Sequence, residues 1–134
     1  MKRILFVCVE NAGRSQMAEG FAKHYGKEKV EAVSAGTMPS SGINPLVIQV
    51  MQEKGIDISK NRPKQITNQM VQEADVIIVM GCSAKGFCPA PLLNKVTDWQ
   101  IEDPKDKPIE KVRQIRDIIE KKVKEIIKQA SQNE

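Results

Sequence analysis

The first apolar run, Ile4 to Cys8, is short and uninterrupted. A run with no polar alternation predicts a strand buried on both faces, as parallel sheets require. Val30 to Ala35 is a weaker second strand candidate. Asp75 to Met80, reading Asp-Val-Ile-Ile-Val-Met and bounded by Gly81, is rich in β-branched residues and predicts a third, and Lys95 to Trp99 a short fourth. Between these runs the spacing turns helical over Ser15 to Tyr25, Asn44 to Lys54 and Asn68 to Glu73. Asn44 is placed to cap a helix that Pro45 opens, and Gly55 stands just past its end. Further on, Ile109, Val112, Ile115, Ile118, Ile119, Val123, Ile126 and Ile127 recur every three or four positions, which lays one apolar stripe on the sheet.

Strands that alternate with helices predict right-handed crossovers. The expected fold is α/β: a single-domain, doubly wound, four-stranded parallel sheet with helices on both faces, spanning residues 1–134. A chain of 134 residues with 40% hydrophobic composition has the size of one domain with a real core. In such folds ligands bind beyond the carboxyl ends of the strands.

Charge adds little. Twenty-one basic residues against 17 acidic ones give +4, which suits a small anionic substrate without demanding nucleic acid. The nine Lys and Arg between Lys105 and Lys128 alternate with five acids along what reads as one helix, the pattern of a solvated face. Aromatic residues form only 4% of the chain, too few for stacking platforms, so no nucleic-acid partner is expected. The basic start Met1-Lys2-Arg3 precedes an apolar run of six residues that ends at Glu10, short of the roughly 7–15 residues of a secretory signal. No stretch approaches the ~20 apolar residues of a membrane span. A soluble, cytoplasmic, monomeric protein is expected, with no membrane partner.

Cys8, Cys82 and Cys88 form an odd set without a secretion signal, which argues for thiol chemistry or burial rather than a static disulfide framework. Zinc is a weaker reading, because His24 is the one histidine and five residues separate Cys82 from Cys88. His24, beside Lys23 and Tyr25 near a helix end, reads as a surface residue.

Cys8-Val9-Glu10-Asn11-Ala12-Gly13-Arg14-Ser15 joins the first strand to the first helix. A tight turn containing Gly13 can point successive backbone N–H groups inward, and the helix dipole adds positive potential at the same place. Residues Val9, Glu10, Asn11, Ala12, Gly13 and Arg14 are thus the expected oxyanion cradle, with the Arg14 guanidinium as a two-pronged donor. The same surroundings favour the thiolate of Cys8, the nucleophilic form. Ser15 is placed to donate its hydroxyl to that sulfur or to serve as a plain first-turn residue. The bland alternative for the segment is a buried structural Cys8 with Arg14 on a helix surface.

A parallel sheet brings Cys8 and Cys82, 74 positions apart, to one edge. Cys82 and Cys88 flank a short segment, so a disulfide can close between them, and three thiols suffice to pass an oxidation from a buried site to an exposed loop. Read singly, each is equally a small buried residue. Asp103, fixed by Pro104 on the same edge, is placed to protonate a departing oxygen, although Asp-Pro is also a turn signal.

With these residues in view, the sequence resembles the thioredoxin-coupled arsenate reductases, which share the fold of the low-molecular-weight protein tyrosine phosphatases. The resemblance spans nearly the whole chain and rests on Cys8 to Ser15, Ser34-Ala35-Gly36-Thr37, Asn44-Pro45, the strand from Ala74-Asp75 to Cys82, Cys88-Pro89 and Asp103-Pro104. It implies that Cys8 attacks arsenate, that Arg14 and the loop hold its oxygens, and that Asp103 assists departure of water or hydroxide. It further implies that Cys82 then attacks Cys8 to release arsenite and that Cys88 resolves the Cys8–Cys82 bond. A Cys82–Cys88 disulfide would remain for thioredoxin to reduce, with no cofactor. Some members of the family hold potassium near the loop, for which Asn11, Glu19 and Ser34 match, while a further acidic ligand is not evident around Lys64 to Thr67.

Two rivals stand beside this expectation. A phosphatase would use Cys8, Arg14 and Asp103 through a phosphoenzyme and leave Cys82 and Cys88 idle; against it, Lys105 follows Asp103-Pro104 where that branch typically carries tyrosine. A non-enzymatic arsenite sensor would use the three thiols and leave the Arg14 loop unexplained.

Overall fold

The computed structural model describes residues 2–80 and 96–132. Eight elements follow in order: β1 (Lys2–Cys8), α1 (Arg14–Tyr25), β2 (Val30–Gly36), α2 (Pro45–Gln52), α3 (Asn68–Glu73), β3 (Val76–Val79), β4 (Val96–Asp98) and α4 (Ile109–Gln132). The four strands form one sheet in the order β2-β1-β3-β4, with every neighbouring pair parallel.

Alternate residues of β1 serve two cores. Ile4, Phe6 and Cys8 face α1, α2 and α4, whereas Leu5 and Val7 face Val71 of α3 and Ala74. Because both faces of the strand are covered, its sequence is apolar without a break. Full burial of a side chain such as Phe6 or Leu5 is worth about 1.5–3 kcal/mol.

The helix ends are built as their residues dictate. The Asn44 side chain accepts the Leu46 N–H at 3.0 Å, with Pro45 opening α2. Gly55, just beyond that helix, takes φ +76°, a left-handed turn that costs glycine little. Thr67 caps α3 by accepting from the Met70 N–H.

Two expectations need correction. Lys105 does not belong to the last helix, which begins at Ile109 after Pro108; residues 105–106 form a turn closed by the Lys107 N–H on the Pro104 carbonyl at 3.2 Å, and Pro108 disfavours helical backbone at Lys107. Ile118 is half exposed and lies off the stripe, whereas Val112, Ile115, Ile119, Val123 and Ile127 are buried. At about 100° per residue, Ile118 falls beside the seam that Ile115 and Ile119 define. The third and fourth strands are shorter than their apolar runs, and no helix among the described residues is long and apolar enough to cross a membrane.

The register decides which loops meet. Cys8 lies opposite Gly36, Val7 opposite Val79, and Val79 opposite Asp98. The carboxyl edge therefore gathers the loops after β1, β2 and β4 around Cys8.

Candidate active site

The loop between β1 and α1 has all its carbonyls engaged. Cys8 O accepts from Thr37 N at 3.2 Å, Val9 O from Met38 N at 2.7 Å, Glu10 O from Ser40 N at 3.0 Å and Ala12 O from Asn44 N at 2.9 Å. Asn11 O accepts from the Gln16 side chain, and Gly13 O from Met17 N as α1 begins. The carbonyls are thus held by the segment after β2 and by α1, and N–H groups left facing the inside would make an anion nest. The Asn11 N–H points at Cys8 Sγ, 3.3 Å away.

Cys8 is buried, and Ser15 Oγ lies 2.9 Å from its sulfur. The direction of that hydrogen bond follows from its neighbours. Lys64 N–H, an unambiguous donor, contacts Asn11 Oδ1 at 2.9 Å, which fixes the amide orientation. Asn11 Nδ2 must then donate to Ser15 Oγ, at 2.6 Å, so the serine proton is left for the sulfur. Two donors are thus aimed at one sulfur.

Arg14 is buried rather than a surface residue; Nη1 donates to the Ile101 carbonyl at 2.9 Å, and Nη2 lies 3.6 Å from Asp103 Oδ2. Asp103 is half exposed, and its other oxygen accepts the Lys105 N–H at 3.0 Å, which fixes the turn. Pro104 packs on Gly13, where an added Cβ would come to 3.0 Å from Pro104 Cγ. Across the opening, Lys105 Nζ meets Glu10 Oε2 at 3.0 Å, and this hydrogen bond raises the lysine above its ordinary value.

Cys8, Glu10, Ala12, Gly13, Arg14 and Asp103 line one cavity of about 490 Å³, together with residues of the 40–46 segment. Val9 and Asn11, expected in the cradle, are not among its walls. Asn11 has φ +52°, and its side chain reaches Ser15, Gln16 and Lys64. The chemistry this arrangement supports is attack by a thiolate on a tetrahedral oxyanion, with a carboxyl at hand for the leaving oxygen. Cys82 and Cys88 lie outside the described residues.

The residues expected for potassium do not fit a cation. Ser34 Oγ donates to Glu19 Oε1 at 2.8 Å, Lys23 Nζ pairs with Glu19 Oε2 at 3.2 Å, and Asn11 Oδ1 already accepts two N–H groups. The buried charge of Glu19 is thus met by an ammonium group of the same helix. His24 is exposed, as expected, and stacks edge-on against Tyr25.

Sequence reasoning missed Gln16, the Ile101 carbonyl and the Glu10–Lys105 pair. Gln16 carried a faint signal, a second polar residue following Ser15 at the head of a helix whose next turns are apolar. The other two depend on segments nearly a hundred residues apart.

Fold and site together define a cysteine-based oxyanion enzyme, and the family model described as low molecular weight phosphotyrosine protein phosphatase matches residues 3–134; the chain belongs to that family. Within it the chain stands with the arsenate reductases. It is 38% identical over 133 residues to the glutaredoxin arsenate reductase of Synechocystis sp., covering 98% of this chain and 100% of that one. Among solved structures, the thioredoxin-dependent arsenate reductase of Corynebacterium glutamicum is similar with a TM-score of 0.85 and 35% identity, covering 100% of this chain and 64% of that one. An arginine phosphatase of Geobacillus stearothermophilus is similar with a TM-score of 0.89 and 27% identity, covering 99% of this chain and 95% of that one.

Proposed function

We propose that the protein is a cytoplasmic, monomeric arsenate reductase regenerated by thioredoxin. The observation that carries the reading is the Cys8 sulfur in the cavity, with the Asn11 N–H and Ser15 hydroxyl directed at it and Arg14 and Asp103 in the same walls.

Cys8 thiolate attacks pentavalent arsenic while the loop N–H groups and Arg14 hold the remaining oxygens. An arsenic–oxygen bond breaks, and Asp103 supplies the proton with which that oxygen leaves as water. Cys82 thiolate next attacks the Cys8 sulfur; the Cys8–arsenic bond breaks, its electron pair stays with arsenic, and arsenite departs. Cys88 then attacks Cys82, freeing Cys8 and leaving a Cys82–Cys88 disulfide, which a dithiol reductant opens by exchange. The last three steps rest on the sequence positions of Cys82 and Cys88 beyond β3. Relatives that use glutaredoxin and thioredoxin both exist. Thioredoxin is proposed on the likeness to the thioredoxin-dependent relative, and the glutaredoxin arm of the assay below decides between the two reductants.

The test is a coupled assay with arsenate, thioredoxin, its reductase and NADPH, run beside a glutaredoxin–glutathione arm and with phosphate as competitor. Sustained NADPH consumption in the thioredoxin arm supports the proposal. Stoichiometric arsenite capture without turnover would make the protein a sensor instead. The phosphatase reading has one observation of its own, the close structural likeness to an arginine phosphatase. Release of phosphate from phosphoarginine or an aryl phosphate at rates exceeding arsenate reduction would favour it.

A further inference from the structure

Gln16 is completely buried yet absent from the cavity walls. Its amide nitrogen donates to Asn11 O at 3.2 Å and Asn11 Oδ1 at 3.0 Å and reaches the Arg62 carbonyl at 3.4 Å, while its oxygen accepts from Asn61 Nδ2 at 3.1 Å. Two N–H bonds serve three acceptors, so one is shared between the two Asn11 oxygens. Burying an amide is costly unless its groups are satisfied, and here both are.

Asn11 is the residue whose conformation matters. Its φ of +52° is left-handed, a conformation asparagine adopts more readily than other non-glycine residues and one that contacts from Gln16 and the Lys64 N–H hold here. From that conformation its N–H points at Cys8 Sγ and its side chain engages Ser15. Relaxation to negative φ would turn the peptide plane and withdraw the N–H from the sulfur.

We propose that Gln16 is a positioning residue: a strut from α1 that, braced by Asn61, locks Asn11 in the left-handed conformation from which it orients the Cys8–Ser15 pair. Its backbone belongs to the first turns of α1, so the strut has a rigid base. This inference rests on the reading of Cys8 as the nucleophile and deepens it. The charged groups that share the cavity with Cys8 are Glu10, Arg14, Asp103, Lys105, Asp106 and Lys107, and Gln16→Met changes none of them.

The experiment measures iodoacetamide alkylation of Cys8 in the full-length, reduced protein between pH 5 and pH 9, read by peptide mass mapping so that Cys82 and Cys88 do not interfere. For Gln16→Met, nearly the same size but without a donor, the profile moves to higher pH. Alkylation near pH 6 falls roughly tenfold, one pH unit of displacement, while rates converge at pH 9. A variant that loses melting temperature but keeps the wild-type profile shows Gln16 to be merely structural and overturns the inference. Should Gln16→Met not fold, Asn61→Ala removes the brace alone; a smaller displacement in the same direction supports the strut, and none overturns it. If wild-type Cys8 itself alkylates with the pH profile of an ordinary free thiol, the nucleophile reading fails first.

Discussion

Gly36 stands opposite Cys8 in the parallel register of β1 and β2, and a Cβ on it would come within 2.6 Å of the Val9 carbonyl oxygen and 2.9 Å of the Asn11 nitrogen. The reactive loop is thus built on the bare backbone of the neighbouring strand. Its own N–H donates to Lys64 O at 2.8 Å, which places the Lys64 amide where it can hold Asn11.

Gly36→Ala is expected to push the loop away from β2 and to destabilise the protein by about 1–3 kcal/mol, the usual cost of overpacking. Arsenate turnover should fall by more than the folded fraction explains. Denaturant melts paired with steady-state kinetics check this, and an alanine variant with wild-type kinetics would show that the loop tolerates the shift.

Cys82→Ser should abolish arsenate reduction yet spare slow hydrolysis of an aryl phosphate, because only the reductase steps use that thiol. Parallel assays of both activities separate the cases, and equal loss of both counts against the relay. In the wild type, limiting arsenate without reductant should leave a Cys82–Cys88 disulfide that peptide mass mapping detects.

Asp103→Asn keeps the turn, since the amide oxygen can still accept the Lys105 N–H, but removes the proton donor. A decrease in kcat of roughly 10²-fold or more is expected for both arsenate and aryl phosphate, with KM changed little. An unchanged kcat would mean that water supplies the proton.

Glu53 ties the end of α2 to α4. Hydrogen bonds from Arg113 and Arg116 hold the pKa of its carboxyl at about 2, below the ordinary 4.5. A depressed carboxyl stabilises the fold above the unfolded value, and that contribution fades as pH falls from 4.5 towards 2. Glu53→Gln should therefore lower the melting temperature at pH 7 and flatten its dependence on pH between 5 and 2. The effect is modest because the carboxylate is partly solvated. Identical acid profiles for the two proteins would assign the acid sensitivity elsewhere.

How the fold followed from the chain is clearest in β1. Its unbroken apolar run is apolar because α1, α2 and α4 cover one face and α3 the other, so the pattern reports the parallel sheet directly. The caps at Asn44 and Gly55 were equally readable, being local chemistry between residues a few positions apart. Ile118 was misread because periodicity tolerates a residue beside the seam until packing excludes it.

For the site, sequence alone determined the chemistry available: a cysteine at a strand end, a glycine-containing turn into a helix, an arginine, an Asp-Pro pair, and the presence of two further thiols. Tertiary structure decided how these are held. The Lys64 amide and the Ile101 carbonyl reach the site from other segments, and backbone groups are the same at every position, so no residue type announces them. Gln16 is named in the sequence, but its strut to Asn11 exists only where α1, the loop and the 61–64 segment close on one another. Such contacts depend on long-range closure of the chain, which local spacing does not encode.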